Sequence, residues 1–204
     1  MPYARLAKLK EEKRTKIMET ALDEFLEKNF DSASINQISK KAGLSAGALY
    51  YYFEDKEDLF YTTLEYVSLC LMNEVGDLNN ILGEHGFWEG IKTFVQRRLK
   101  FTITHPRHMK LFHRVLNSND PVEFEGRERF LQPFSIIFDY GYAHGYIRTD
   151  LPKELVFNIH LSMTLAINKW SLDSPLFTEH DLEELGALSE KAVNMIKSAI
   201  GKEE

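Results

Sequence analysis

Apolar residues recur along this chain at intervals of three and four, the spacing of helices that bury one face. Near the amino terminus Ile17, Ala21, Leu22 and Phe25 follow this spacing, and similar stripes continue as far as Ile200. No segment shows the alternation of apolar and polar residues that marks a half-buried strand. The sequence therefore predicts an all-α protein with about nine helices.

Two short helices joined by a tight turn are predicted directly after the first helix. Ser34 and Ser45 can each cap the start of a helix through a side-chain oxygen, and Gly43 suits the left-handed position that ends the earlier one. In the second short helix Leu49 and Phe53 are four residues apart and face inward. The residues left on its outer side are small or aromatic: Ala46, Gly47, Ala48, Tyr50, Tyr51 and Tyr52.

The distribution of charge sets this segment apart from the rest of the chain. The net charge is −6, yet residues 32–53 contain no Asp or Glu. Residues 1–56 carry a net charge of +1 and the remainder carries −7, while residues 1–16 alone carry +4. An acid-free surface on an acidic protein is expected to approach an anion such as the DNA backbone. The basic amino-terminal arm either follows that backbone or reaches the minor groove, or it forms a solvated, frayed helix start.

These segments resemble the TetR family of bacterial transcriptional regulators. The resemblance rests on the apolar run from Ile17 to Phe25, the Ser-Ile-x-x-Ile segment from Ser34, and the residues from Ala42 to Phe53 followed by Lys56. A second likeness lies at Gly145–Asp150, which is similar to the junction before the family's dimerisation helices. The remainder of the chain is similar to the family in length and helical character.

The resemblance implies two domains, a three-helix helix-turn-helix domain at residues 1–54 and a larger helical effector-binding and dimerisation domain at residues 55–204. In the family, one set of positions usually holds phosphates, here Ser34, Ser45, Tyr50, Tyr52 and Lys56. A second set faces the groove, here Asn36, Ala46, Gly47, Ala48 and Tyr51. Ala48 could offer its methyl group to thymine and Asn36 could bind adenine, whereas Tyr50 or Tyr52 could instead pack against the first helix.

The helices near residues 152–171 and 179–200 correspond to those through which family members form homodimers. The first is apolar around most of its circumference, which suits either a dimer surface or the central helix of the domain. Aromatic residues in this part of the chain could line an effector pocket or simply fill a core. The candidates taken from the family's pocket-forming helices are Tyr66, Cys70, Phe94, Phe101, Phe112, Phe134, Phe138, His160 and Trp170.

Composition and spacing argue against several other classes of protein. A single cysteine rules out an internal disulfide, and the chain shows neither a signal peptide nor an apolar run long enough to span a bilayer. His105, His108 and His113 are not spaced to converge on a metal ion, and no catalytic or phosphate-loop motif is present. We therefore expect a cytoplasmic protein that is not an enzyme and that uses no metal, cofactor or membrane.

The pattern and the resemblance together predict a ligand-responsive transcriptional regulator. It would bind a palindromic double-stranded DNA operator as a homodimer, act as a repressor, and be released by a small apolar or aromatic effector. The alternative is a helical ligand-binding or protein-interaction module that does not bind an operator. The outward-facing tyrosines favour the regulator, because a soluble protein rarely displays three aromatic residues in a row without a partner.

Overall fold

The computed structural model describes residues 6–84, 86–174 and 182–202 of the chain. Within these ranges the chain forms ten helices and no strand, with one isolated antiparallel bridge between Ile147 and Gly201. The helices are α1 (Glu11–Glu27), α2 (Ile35–Ala42), α3 (Ala46–Tyr52), α4 (Lys56–Val75), α5 (Leu78–Glu84), α6 (Phe87–Thr104), α7 (Pro106–Leu116), α8 (Pro121–Ala143), α9 (Lys153–Asp173) and α10 (Leu182–Ile200).

The prediction of an all-α fold is confirmed, and the helix that the prediction omits is α5. It is seven residues long, which is too short for a helical period to appear in the sequence. Its packing against α6 depends on Gly90, where an added methyl group would overlap the carbonyl oxygen of Ile81. The predicted start of the last helix near residue 179 lies outside the described residues.

The chain divides into two compact units. Unit 1 takes in the chain up to Leu69 together with Arg107–Phe130, and unit 2 takes in Cys70–Pro106 and the chain from Leu131 onward. Unit 1 thus contains the predicted DNA-binding segment and adds residues from α4, α7 and α8. None of the helices in the described ranges combines the length and the hydropathy that a membrane span requires.

The core of unit 1 is an aromatic cluster behind α1. The Phe60 ring meets the rings of Phe25 and Phe30 edge-on, with centroids 4.9 and 5.3 Å away. All three side chains are buried, as are Ile17 and Leu22 on the same side of α1. The apolar stripe read from the sequence is therefore the face that α1 buries.

The carboxyl-terminal end of α1 is held by polar groups from α7 and α8. The Arg114 guanidinium donates to the carbonyl oxygens of Phe25 and Leu26 in the last turn of α1. It also lies 3.0 Å from the buried carboxylate of Glu123, which accepts a hydrogen bond from the Phe30 backbone N–H at 3.3 Å. These contacts satisfy carbonyl groups that a helix end would otherwise leave without a partner.

Candidate nucleic-acid interface and ligand cavity

The turn between α2 and α3 is built by the three residues that its sequence indicates. Ser34 caps α2, its hydroxyl accepting from the Gln37 backbone N–H at 3.4 Å. Gly43 ends α2 in the left-handed region with φ 75°, which a residue with a side chain rarely adopts. Ser45 then caps α3, its hydroxyl accepting from the Ala48 backbone N–H at 3.1 Å.

Burial of one side of α3 turns its other side toward solvent. Leu49 and Phe53 are buried, as the pattern predicts. Tyr50 and Tyr51 on the opposite side are 52% and 61% exposed, values that leave both rings accessible to a partner. Gly47 is exposed as well, and the other predicted contact residues of this helix, Ala46, Ala48 and Tyr52, are half-buried.

The remaining predicted DNA contacts differ in how far they are engaged within the protein. Asn36 is exposed on α2. The Lys56 ammonium donates to the carbonyl oxygens of Asp31 and Ala33, at 2.9 and 3.5 Å, and lies 4.6 Å from the centroid of the Phe30 ring. Lys56 therefore holds the loop before α2, and any phosphate would share its ammonium with these carbonyls.

A buried carboxylate fixes the start of α2 against α1. Glu24 is 1% exposed, and its oxygens accept from the Ser34 backbone N–H at 3.1 Å and from the Lys28 ammonium at 2.8 Å. Lys41 approaches the same carboxylate at 3.5 Å. Burial by itself would raise the pKa of Glu24, but these hydrogen bonds and charges outweigh burial and lower it.

A second acidic residue joins α1 to α4 and α7 within unit 1. Glu19 accepts from the Tyr66 hydroxyl at 2.8 Å, and lies 3.1 Å from His108 Nε2 and 2.7 Å from a guanidinium nitrogen of Arg107. Burial would raise the pKa of Glu19. The hydrogen bonds from His108 and Tyr66, with the neighbouring positive charges, outweigh burial and lower this pKa to about 2.

The three histidines of the 105–113 segment have separate surroundings. The His105 ring stacks on Phe101 with centroids 4.4 Å apart, while His108 contacts Glu19 and His113 lies 3.3 Å from the Asn117 amide. In the part of the chain that the structure describes, no three His, Cys, Asp or Glu side chains converge as metal ligands would.

Unit 2 encloses a small cavity of about 20 Å³ between α6, α8, α9 and α10. Three of the predicted ligand-binding residues line it: Phe94, Phe134 and His160. Phe138 stacks on His160 with centroids 6.1 Å apart. The rest of the lining is Ile91, Val95, Arg98, Ile137, Thr164, Ile167 and Ile196.

The other predicted ligand-binding residues lie elsewhere. Tyr66 and Phe112 belong to unit 1, where the Phe112 ring packs on Phe130 at 4.6 Å. Phe101 is buried and stacked on His105, and Cys70 is a half-buried free thiol. Trp170 is 43% exposed and so lies at the surface.

Arg98 is a cavity residue that the sequence analysis misses. It is 1% exposed, and its guanidinium donates to the amide oxygen of Asn168. Burial lowers the pKa of Arg98 to about 10, so it stays charged at neutral pH. The signal was present: Arg98 follows Ile91 by seven residues and Phe94 by four, which puts it on the apolar face of α6.

An apolar groove runs along the surface between α9 and α10, with a volume of about 390 Å³. Its lining includes Trp170 and Met195, which are 43% and 56% exposed. The remaining lining residues are Met163, Ala166, Ile167, Leu188, Lys191 and Ala192. This groove lies on the pair of helices that the sequence analysis assigns to dimerisation.

The sequence is similar to a known protein family and to several curated transcriptional regulators. The family described as "Bacterial regulatory proteins, tetR family" matches residues 17–61. The chain is 44% identical over 55 residues to the uncharacterised HTH-type transcriptional regulator YuxN of Bacillus subtilis, covering 27% of this chain and 19% of that protein. The first curated relatives are matched over 19% to 47% of their length.

Solved structures extend the likeness to the fold. A TetR family transcription regulator from Marinobacter aquaeolei superposes with a TM-score of 0.70 at 23% identity, covering 94% of this chain and 96% of that one. FadR from Bacillus subtilis, solved with stearoyl-CoA, gives 0.69 at 17% identity, covering 91% and 98%. The family match covers α2, the turn and α3, so residues 17–61 form a domain of the TetR family of bacterial regulatory proteins, and the fold of the solved regulators is shared along nearly the whole chain.

Proposed function

We propose that the protein is a transcriptional regulator that binds duplex DNA through α3 and the turn before it. The observation that carries this proposal is the exposed side of α3, where Gly47, Tyr50 and Tyr51 face solvent in a segment without acidic residues. A helix with small residues at its amino-terminal end can bring its backbone close to the major groove. The family match over residues 17–61 supports the same surface.

We assign the proposed DNA contacts to two groups. The first group would hold phosphates and so fix the position of the protein on DNA: Ser34, Ser45, Tyr50, Tyr52 and Lys56. The second would face base edges: Asn36, Ala46, Gly47, Ala48 and Tyr51. Because few of the second group can form base-specific hydrogen bonds, part of the specificity would come from DNA shape.

Dimerisation through α9 and α10 is the second part of the proposal. The groove between these helices exposes apolar side chains, and contiguous apolar surface of this kind marks protein interfaces. A two-fold dimer would present two copies of α3 to half-sites about 34–36 Å apart on a palindromic operator.

An effector would act through the domain that we assign to residues 55–204, while the contacts with DNA come from residues 1–54 and from Lys56 at the start of α4. Helices α4 and α8 contribute residues to both compact units, so a shift of α4 would be felt at Lys56 and in the loop before α2. A coupling of about 1–3 kcal/mol would change operator affinity by roughly 5- to 150-fold. The stearoyl-CoA complex of FadR, a structural neighbour, supports a small-molecule effector.

We expect the outcome of DNA binding to be repression that the effector relieves, in the cytoplasm and without enzymatic activity. The curated relatives carry the names of transcriptional regulators, which agrees with this assignment.

The test is a selection of genomic DNA fragments by the purified protein, followed by mobility-shift titration at two salt concentrations. The proposal predicts recovered sites with two-fold symmetry and an affinity that falls as salt increases. A protein that retains no fragment even at low ionic strength would instead be a helical binding module without an operator, and the proposal would fail.

A further inference from the structure

The interior of unit 2 contains a positive charge that no acidic side chain among the described residues neutralises. Arg98 is 1% exposed, and its one side-chain hydrogen-bond partner among the described residues is the neutral amide of Asn168. Its Nε–H is buried without an acceptor in the same part of the chain. Burying a charge without a counterion is strongly unfavourable, so we expect a buried charge that the protein retains to have a function.

Two other basic residues of α6 have ordinary hydrogen-bond or ion-pair partners. The guanidinium of Arg97 reaches the Val75 carbonyl at 2.6 Å, and the Lys100 ammonium pairs with Glu74 at 2.8 Å. Both are placed toward the outside of the helix, whereas Arg98 points into the cavity. The unneutralised charge of Arg98 is therefore not a general property of this helix.

A stripe of polar groups on α9 lies beside Arg98: His160 and Thr164 line the same cavity, and Asn168 accepts the hydrogen bond from Arg98. His160, Thr164 and Asn168 are spaced by four residues, which places them on one side of the helix, and all three are buried. Both ring nitrogens of His160, the Thr164 hydroxyl and the Asn168 amide nitrogen find no hydrogen-bond partner among the described groups. Buried polar atoms are nearly always paired in folded proteins, so this many in one place points to a bound polar group.

We infer that unit 2 binds an amphipathic monocarboxylate whose head group pairs with Arg98 and the α9 stripe while its apolar body lies against Phe94, Phe134 and Ile137. This inference rests on the proposed function only in calling the bound molecule the effector. A carboxylate accepts two parallel hydrogen bonds from a guanidinium, and its single charge matches the single cation of the cavity. A phosphate dianion would leave one negative charge buried.

A neutral His160 is consistent with a ligand that carries a single negative charge, because Arg98 is then the one positive group among the described residues that line the cavity. Burial and then the charge of Arg98 lower the pKa of His160 to about 4, so at neutral pH the ring donates from one nitrogen and accepts at the other. His160 can then bond a carboxylate oxygen without adding a second positive charge. The remaining lining is mainly aliphatic and aromatic, which suits an acyl or aryl body and not a sugar or a nucleotide.

The size of the cavity adds a mechanical consequence. At about 20 Å³ it has room for roughly one water molecule, so an acyl or aryl body must push the lining helices apart as it enters. Binding would therefore favour a more open arrangement of unit 2. The rival explanation is a permanently buried water that bridges the polar groups and never exchanges for a ligand.

The test is calorimetric titration of the whole 204-residue chain with octanoate, dodecanoate and 4-phenylbutyrate, each compared with the alcohol of the same carbon skeleton. We expect the acids to bind more tightly than the alcohols. Replacing Arg98→Met should weaken the acids about 10- to 150-fold and leave the alcohols unchanged, since it removes a charge-assisted hydrogen bond. The matched control is Lys100→Gln, which removes one positive charge from the surface of the same helix and should change nothing.

The thermal stability of the Arg98→Met variant is a second, independent test of the inference. Because buried Arg98 pairs with no acidic side chain in the described part of the chain, Arg98→Met should raise the melting temperature of the ligand-free protein, whereas removal of an arginine with a structural role would lower it. Acids that do not bind at millimolar concentration, or that bind Arg98→Met as well as the original protein, would overturn the inference. If Arg98→Met does not fold, Thr164→Val decides, because an unchanged affinity for acids in that variant overturns the inference too.

Mobility-shift assays on the same samples separate this inference from the proposed function. Acid binding that depends on Arg98 in a protein without DNA affinity would leave the site standing and reject the regulator. Specific DNA binding in a protein that binds none of the acids would support the regulator and reject the carboxylate site.

Discussion

The carboxylate of Glu24 accepts a hydrogen bond from the backbone N–H of Ser34, 3.1 Å away. Ser34 is the residue that caps α2, so a side chain of α1 holds the first residue of the helix-turn-helix in place. The carboxylate is buried and lies close to the ammonium groups of Lys28 and Lys41. The Glu24 carboxylate thus links the start of α2 to α1.

Replacing Glu24→Gln should destabilise the protein by about 1–3 kcal/mol, because a charge-assisted hydrogen bond of a buried group is lost. Urea denaturation followed by circular dichroism measures the change. The control is Glu27→Gln on the same helix, where the carboxylate is 64% exposed and should contribute little. Equal midpoints for the two variants would contradict this role of Glu24.

The stability of the protein should fall in acid through Glu19. Its pKa is lowered from 4.5 to about 2 in the folded protein, so its contribution is complete above about pH 4.5 and is lost as pH falls toward 2. A Glu19→Gln variant should be less stable at neutral pH and should lose less stability over this interval. Thermal melts at several pH values compare it with Glu12→Gln, an exposed change on the same helix. Parallel curves for the original protein and Glu19→Gln would refute the prediction.

Substitution of Gly47 should affect the stability of the protein and its DNA affinity in different directions. A methyl group added there meets no atom within 4 Å. Gly47→Ala should therefore leave the melting temperature unchanged or raise it, because alanine stabilises a helix by up to about 1 kcal/mol relative to glycine. If the α3 backbone approaches DNA closely, the same methyl group should weaken operator binding. Melting and mobility-shift measurements on one sample check both parts. Unchanged affinity would mean that Gly47 does not lie against DNA.

Replacing Tyr50 and replacing Lys40 should change the salt dependence of DNA affinity in different ways. Tyr50→Phe removes one neutral donor, so it should weaken binding to all DNA sequences without changing the slope of log affinity against log salt. Lys40→Gln removes an exposed positive charge from α2, and if Lys40 neutralises a phosphate the slope should become shallower by about 0.9. Titrations at four salt concentrations distinguish the two. A Tyr50→Phe protein with full affinity would remove Tyr50 from the phosphate contacts.

Met195→Glu should separate the proposed dimer. Met195 is 56% exposed in the α9–α10 groove, where a carboxylate buried against a second copy would have no partner. Light scattering should report a monomer, with weaker binding to two half-sites than in the original protein. Leu69→Glu is the matched control, since Leu69 is 51% exposed and lies outside the groove. Two dimeric variants would place the interface elsewhere.

The helices and the turn could be predicted because their signals are local. The caps at Ser34 and Ser45 act on amide groups three residues further on, and Gly43 is selected by its own φ. The exposed side of α3 follows from the spacing of Leu49 and Phe53. Part of the cavity lining, at Phe94, Phe134 and His160, was also predicted, although aromatic residues fill ordinary cores in the same way.

Other features depend on groups that are distant in the chain. Lys56 was predicted as a phosphate contact from the family resemblance, and only the folded chain brings its ammonium to the carbonyls of Asp31 and Ala33. Helix α5 is too short to reveal a period, and its place depends on how closely Gly90 lets α6 approach. The role of Arg98 was missed because the sequence shows a charged residue without showing what surrounds it.

The sequence by itself determined the all-α fold, the capped turn between α2 and α3, and which side of α3 is left for a partner, because hydrogen bonds and apolar contacts within a few residues decide these features. Tertiary structure alone decided that Glu24 anchors α2, that Lys56 is held by carbonyl groups, and that Arg98 and Asn168 meet in the interior of unit 2. The energy of a buried charge depends on the partners that surround it, and folding brings those partners from positions far apart in the chain.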